Sequence, residues 1–164
     1  HEHKLALLSH NCRRLGVSIV APRALDIRTM DPTLFNADAV MLDAPCSGLG
    51  VVNRRPDLRW KKTREDIDSL SELQRVLLQQ AARMVKPRGV LVYSTCTITP
   101  AENENVVKEF LNENRQFCLE GFYPSISDFP LDDEDRQGAE SGMLTLRPGK
   151  YGTDGMFYAR LRRK

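Results

Sequence analysis

The sequence predicts an α/β fold, a mostly parallel sheet with an antiparallel edge formed late in the chain. Three observations carry this. Helical and strand-like stretches alternate through the first two-thirds, as they do where parallel strands are joined by helices. Val90 to Ser94 (VLVYS) is nearly all apolar, as in a strand covered on both faces. The strand-like runs of the C-terminal third follow one another closely, which suits antiparallel neighbours.

Taken in order, Lys4 to Leu15 reads as a helix, with Leu5, Leu8, Cys12 and Leu15 on one face and Gly16 as the stop. Val17 to Ala21 is a short β-prone run. Ala37 to Leu42 is a second strand candidate, and it ends directly at Asp43. The following Ala44-Pro45-Cys46-Ser47-Gly48-Leu49-Gly50 is punctuated by Pro and Gly and cannot continue a strand. A helix ending near Met84 is expected from the spacing of Leu70, Leu73, Leu77, Ala81 and Met84, with Pro87 and Gly89 breaking it. After Val90 to Ser94 comes Thr95-Cys96-Thr97, then a helix with Thr99 as cap, Pro100 at the first position and Glu102 closing a capping box. Phe117 to Leu119, Met143 to Leu146 and Gly155 to Leu161 read as strands, and the acidic stretch from Ser125 to Gly142 as a mobile loop.

The totals narrow the function classes. A chain of 164 residues with 41% hydrophobic and 28% charged residues fits one soluble globular domain. No apolar run is long enough for a membrane span and no signal peptide opens the chain, so a cytoplasmic location is the default expectation. Four cysteines and three histidines, with no CxxC pair, point to free thiols and to no metal site. The net charge of +2 says little about partners. Its distribution says more: Arg54, Arg55, Arg59, Lys61, Lys62 and Arg64 crowd one stretch, either a phosphate-facing surface or a solvated loop.

In α/β sheets, ligands bind beyond the carboxyl ends of the strands. Asp43, Pro45 and Cys46 leave one such end, and Thr95 and Cys96 leave another. A thiol at a strand tip just before a helix is exposed enough to react, and backbone N–H groups favour its thiolate. Cys12 and Cys118 sit in amphipathic segments and read as filler. Cys46 alone would read the same way; the pair of tips with Asp43 suits covalent chemistry on a planar heterocycle, and periodicity does not say which one.

Four segments then occur in a fixed order: Asp43-Ala44-Pro45-Cys46-Ser47-Gly48-Leu49-Gly50, Arg54-Arg55-Pro56-Asp57, Tyr93-Ser94-Thr95-Cys96-Thr97 and Pro100-Ala101-Glu102-Asn103-Glu104. This ordered set resembles the RsmB-like (Sun, NSun) family of RNA 5-methylcytosine methyltransferases. The closing Gly155-Met156-Phe157-Tyr158-Ala159-Arg160-Leu161 is similar to that family's last strand, where Phe is more usual than Met156. The resemblance implies a Rossmann-like methyltransferase sheet and S-adenosylmethionine as cofactor. It implies Cys96 as the attacking thiol and Cys46 as an aid to product release. It places Asp43 against the cytosine edge, and Asp26, Asp43 and Pro45 around the cofactor. Arg54 and Arg55 would hold RNA phosphates, and the target cytidine would be unpaired or flipped.

The same resemblance calls for a Gly-rich cofactor loop and a ribose-binding acid upstream of Glu2. Residues 1–164 are therefore expected to be a partial catalytic domain lacking its first strands, inactive by itself. Ribosomal RNA is the favoured partner and transfer RNA the alternative, with no membrane or metal and the oligomeric state open. The competing reading is a non-catalytic RNA-binding or ribosome-assembly module with the same fold. An amine methyltransferase is disfavoured, because Asp-Ala-Pro-Cys stands where those enzymes carry Asn/Asp-Pro-Pro-aromatic.

Overall fold

The computed structural model describes residues 2–164. It contains two compact units, residues 1–30 and 31–164. The first holds helix α1 (Glu2–Arg14), with Arg13 and Arg14 in its last turn, where cations suit the helix dipole. Gly16 stops it in the left-handed region at φ +68°. Gly16 N–H donates to Arg13 O and Val17 N–H to Cys12 O, the paired closure of a Schellman motif. The strand expected over residues 17–21 does not form. Among the described residues this run has no ladder partner, and Ile19 is 93% exposed. β-propensity expresses fit to a pleated, half-buried surface, and these residues have none to lie on.

The second unit is a five-stranded mixed sheet. Strand β1 (Ala37–Asp43) pairs in parallel with β2 (Val85–Thr95), in register from Ala39↔Val90 to Asp43↔Ser94. The C-terminal β5 (Met156–Arg163) lies antiparallel on the other side of β2, with Thr95 opposite Phe157. Both β3 (Phe117–Leu119) and β4 (Met143–Leu146) pair antiparallel with β5. The antiparallel C-terminal edge is thus as expected, and the parallel pairing lies between β1 and β2.

Short helix α2 (Leu58–Lys61) precedes α3 (Arg64–Met84), which opens on a full capping box between Thr63 and Asp66. The helix gives way to β2 at Val85 with no loop between, five residues before the expected strand. Pro87, Arg88 and Gly89 form an irregularity in the ladder, with Arg88 at φ +66°. Leu91 and Tyr93 are fully buried, together with α3 residues Leu78 and Ala81 and with Val106, Val107 and Phe110 of α4 (Glu104–Glu113). Val90 and Val92 on the other face are half-buried and line an apolar cavity of about 590 Å³ with Phe122, Ile126 and Phe129. The double cover expected for β2 is therefore complete on one face only.

Two further expectations are corrected. Helix α4 begins at Glu104, not after Thr99; Thr97 to Thr99 are irregular, Pro100 to Asn103 are turns, and Glu102 is turned into the protein. The acidic stretch 125–142 contains helix α5 (Asp133–Ser141). Asp132 caps it by accepting from Asp135 N–H at 3.0 Å, three acids occupy its first turn, and Gly142 closes it at φ +96°. Lys150 ties its start down through Asp132 (2.6 Å) and Asp135 (2.7 Å). Caps and ion pairs build this helix, so it carries no apolar period to read.

Candidate active site at the paired strand ends

The parallel register makes Asp43 and Ser94 the last partners of β1 and β2, so the loops leaving them start side by side. Ser94 Oγ donates to Asp43 Oδ1 at 3.1 Å, and Ala44 N–H donates to Ser94 O at 2.9 Å, extending the ladder by one step. Pro45, with no N–H to give, ends it. Asp43 and Pro45 face solvent, whereas Ala44 and Ser47 are buried.

Two glycines let the loops close on each other. Gly48 turns the chain at φ +76°. Gly50 N–H donates to Cys96 O at 3.0 Å, and Gly155 N–H donates to Gly50 O at 2.8 Å. A side chain at Gly50 would run into the Gly155 carbonyl and come within 2.8 Å of Cys96 O, so only glycine permits this three-way crossing.

The crossing brings the sulfurs of Cys46 and Cys96 to 3.3 Å, as free thiols. Burial raises the Cys46 thiol, and the neighbouring Cys96 adds to the effect, pushing it up to about 12. Cys46 therefore keeps its proton at neutral pH.

A buried polar network lies beneath the sulfurs. Glu102, Gln74, Asn103 and Thr97 have no exposed surface. Glu102 Oε1 accepts from Ser47 N–H (2.8 Å) and from Gln74 Nε2 (3.1 Å). Its Oε2 accepts from Ser47 Oγ (2.6 Å) and Thr99 Oγ1 (2.7 Å). Four donors converge on one carboxyl group, the arrangement that offsets the cost of burying it. Gln74 also donates to Pro45 O at 2.8 Å, and Tyr93 OH to Glu102 O at 2.7 Å. Asn103 Oδ1 accepts from Thr95 Oγ1 (2.6 Å) while its Nδ2 donates to Thr97 O (3.0 Å), locking the loop around Cys96.

The expected site residues thus divide. Asp43, Pro45, Cys46 and Cys96 meet at the paired strand ends. Arg54 is exposed and paired with Asp154 at 3.0 Å, and Arg55 is exposed. Asp26 belongs to the first unit, where both its oxygens engage Arg28 at 2.6–3.1 Å. That hydrogen-bonded guanidinium holds the Asp26 carboxyl at about 2. Sequence reasoning missed Glu102, Gln74, Asn103 and Ser47. One signal for Gln74 was present: it falls on the apolar stripe of α3, between Ser71 and Leu78, where a polar side chain needs a buried partner. Among the described residues no group of His, Cys, Asp and Glu is placed to hold a metal ion, and no helix is long and apolar enough to cross a membrane.

Comparison with known proteins agrees with this geometry. A family described as "16S rRNA methyltransferase RsmB/F" matches residues 1–162. The "Probable ribosomal RNA small subunit methyltransferase B" of Bacillus subtilis (strain 168) is 36% identical over 167 residues, covering 100% of this chain and 36% of its own length. The chain therefore spans about a third of the length of such curated relatives. Among solved structures, PH0851 superposes with a TM-score of 0.84 at 36% identity, over 99% of this chain and 35% of that one. NSun6 from Pyrococcus horikoshii, solved with SFG, gives 0.82 at 32% identity, over 99% and 39%.

Proposed function

Because the chain belongs to the RsmB/F family of 16S rRNA methyltransferases, we propose that it forms part of an enzyme that methylates carbon 5 of a cytidine in ribosomal RNA, using S-adenosylmethionine. The observation that carries this reading is the pair of thiols 3.3 Å apart at adjacent parallel strand ends, with an exposed carboxylate beside them.

Carbon 5 of cytosine is a poor nucleophile, and a sulfur at the strand tip can remedy that. Cys96 adds as thiolate to carbon 6, forming an S–C6 bond and moving the ring's electron pair to carbon 5 as an enamine. The cofactor, when bound, supplies an electrophilic methyl group. After carbon 5 has taken the methyl group with that electron pair, its proton passes to solvent water, the C5–H electrons re-form the ring double bond and the S–C6 bond breaks, returning Cys96 as thiolate. Cys46, which burial keeps protonated, is the partner that assists this release. N3 of the cytosine takes a proton from solvent during addition, and the Asp43 carboxylate, oriented by Ser94 Oγ, accepts the hydrogen bond from that N3–H.

The open strand ends fit a cofactor at Asp43 and Pro45, both exposed there. Asp26 would have to share or release Arg28 before serving the cofactor's adenine end. A neighbour solved with SFG, an analogue of S-adenosylmethionine, supports that choice of cofactor.

Labelled-methyl S-adenosylmethionine and small-subunit ribosomal RNA, incubated with the full polypeptide and digested to nucleosides, test the reading. Label is expected in 5-methylcytidine, with transfer RNA as the comparison substrate. Label in another nucleoside, or RNA bound with no label transferred, would contradict it.

A further inference from the structure

Between the Cys46 loop and α3 runs a segment that the chemistry above leaves unused. Residues 53–64 carry six cations against one acid, Asp57. Arg54 and Arg64 pair with Asp154 and Asp68, and Lys61 pairs with Asp57. Arg55, Arg59 and Lys62 carry no ion pair among the described residues. In their midst Trp60 is 84% exposed, with the Arg59 guanidinium 5.6 Å from its ring centroid.

Single exposed apolar residues are ordinary on protein surfaces. A tryptophan ring held in a cationic stretch is different, because it joins a π face to a field that attracts phosphates. The segment is also anchored to the site. Leu58 packs on Gly48, two residues beyond Cys46, and Gly50 is bonded to Cys96. Thr63 fixes the other end as the cap of α3.

We propose that Trp60, with Arg55 and Arg59, is a stacking subsite for an unpaired base of the RNA strand that enters the cysteine site. The ring takes the base face, and the two guanidiniums take the flanking phosphates. Single-stranded RNA is the occupant the features fit, because duplex bases keep their faces stacked on one another. This rests on the RNA reading above and adds a subsite to it.

Trp60 is the only tryptophan of the 164-residue chain, so its emission reports on the subsite directly. The chain is titrated with a short single-stranded RNA and, separately, with inorganic polyphosphate as a charge-only probe. RNA is expected to quench the emission and polyphosphate to leave it nearly unchanged. By anisotropy of labelled RNA, Trp60→Ala should weaken binding roughly 5- to 100-fold, the range for loss of one stacked base. Trp60→Phe should retain most of the affinity, and polyphosphate should bind both variants as it binds the parent. RNA binding without quenching, and equally tight to Trp60→Ala, would overturn the stacking subsite while leaving RNA as partner; the ring would then belong to a protein contact. Failure to bind either probe would overturn the subsite together with the RNA reading of this segment.

Discussion

The paired strand ends and the basic segment beside them are held by opposite means. Under the two sulfurs the fully buried Glu102 carboxyl accepts from four donors, and two glycines allow backbones to touch. Fourteen residues beyond Cys46, Trp60 stands in solvent with Arg55 and Arg59, in a segment tied down by the ion pairs of Arg54, Lys61 and Arg64 and by one leucine contact. The difference follows from the two tasks. Covalent chemistry needs two sulfurs fixed to fractions of an ångström, which only a packed, over-determined shell can do. Recognition of a flexible, charged strand needs open cations and a ring whose face is free.

Substitutions should separate the two regions. The largest effect is expected from Cys96→Ala, which should lower methyl transfer by roughly 10³-fold or more with the urea midpoint little changed, as for loss of a nucleophile. Gly50→Ala forces a methyl group into the Gly155 carbonyl and should destabilise the fold by about 3 kcal/mol, read by urea unfolding. Glu102→Gln puts an NH2 group against the Ser47 and Thr99 hydroxyls or the Ser47 and Gln74 N–H groups. It should cost about 2 kcal/mol and slow adduct formation, with RNA affinity unchanged. The smallest structural effect belongs to Arg55→Ala, which should leave the urea midpoint where it is. It should reduce the slope of log affinity against log salt by about 1. A Gly50 variant of normal stability, or an Arg55 variant that unfolds early, would break the contrast.

The raised Cys46 thiol adds a pH test with a definite sign. A folded-state value of about 12 against an ordinary 9.0 means that the fold favours the proton-bound form. Its contribution to stability is fully present below the ordinary thiol value and is lost as pH climbs from about 9 toward about 12. Alkylation by iodoacetamide at pH 8, followed by peptide mapping, should leave Cys46 unmodified. Rapid Cys46 modification at that pH would show that its proton is not held.

Strands β1, β2 and β5 were legible because their apolar runs end at punctuated loops, and the two reactive tips followed from that placement. The network under the tips was not. Glu102 has the spacing of a capping residue from Thr99, and local sequence cannot distinguish a carboxylate reaching back to its own turn from one reaching Ser47, fifty-five residues away. Residues 17–21 and helix α5 show the complementary failures. In the first, β-prone side chains have no neighbour to pair with among the described residues. In the second, a helix stands on caps and ion pairs with one fully buried apolar residue, Ala139. Each outcome depends on partners distant in sequence, which periodicity does not contain.

The division of labour between the sulfurs is tested most directly by trapping. Cys46→Ala and Cys96→Ala, made separately in the full polypeptide, are incubated with substrate RNA and S-adenosylmethionine and run on a denaturing gel. Protein that stays attached to RNA for Cys46→Ala, and none for Cys96→Ala, is the result expected if Cys96 attacks and Cys46 serves release. The reverse pattern, or full methylation by both variants with no adduct, would contradict it.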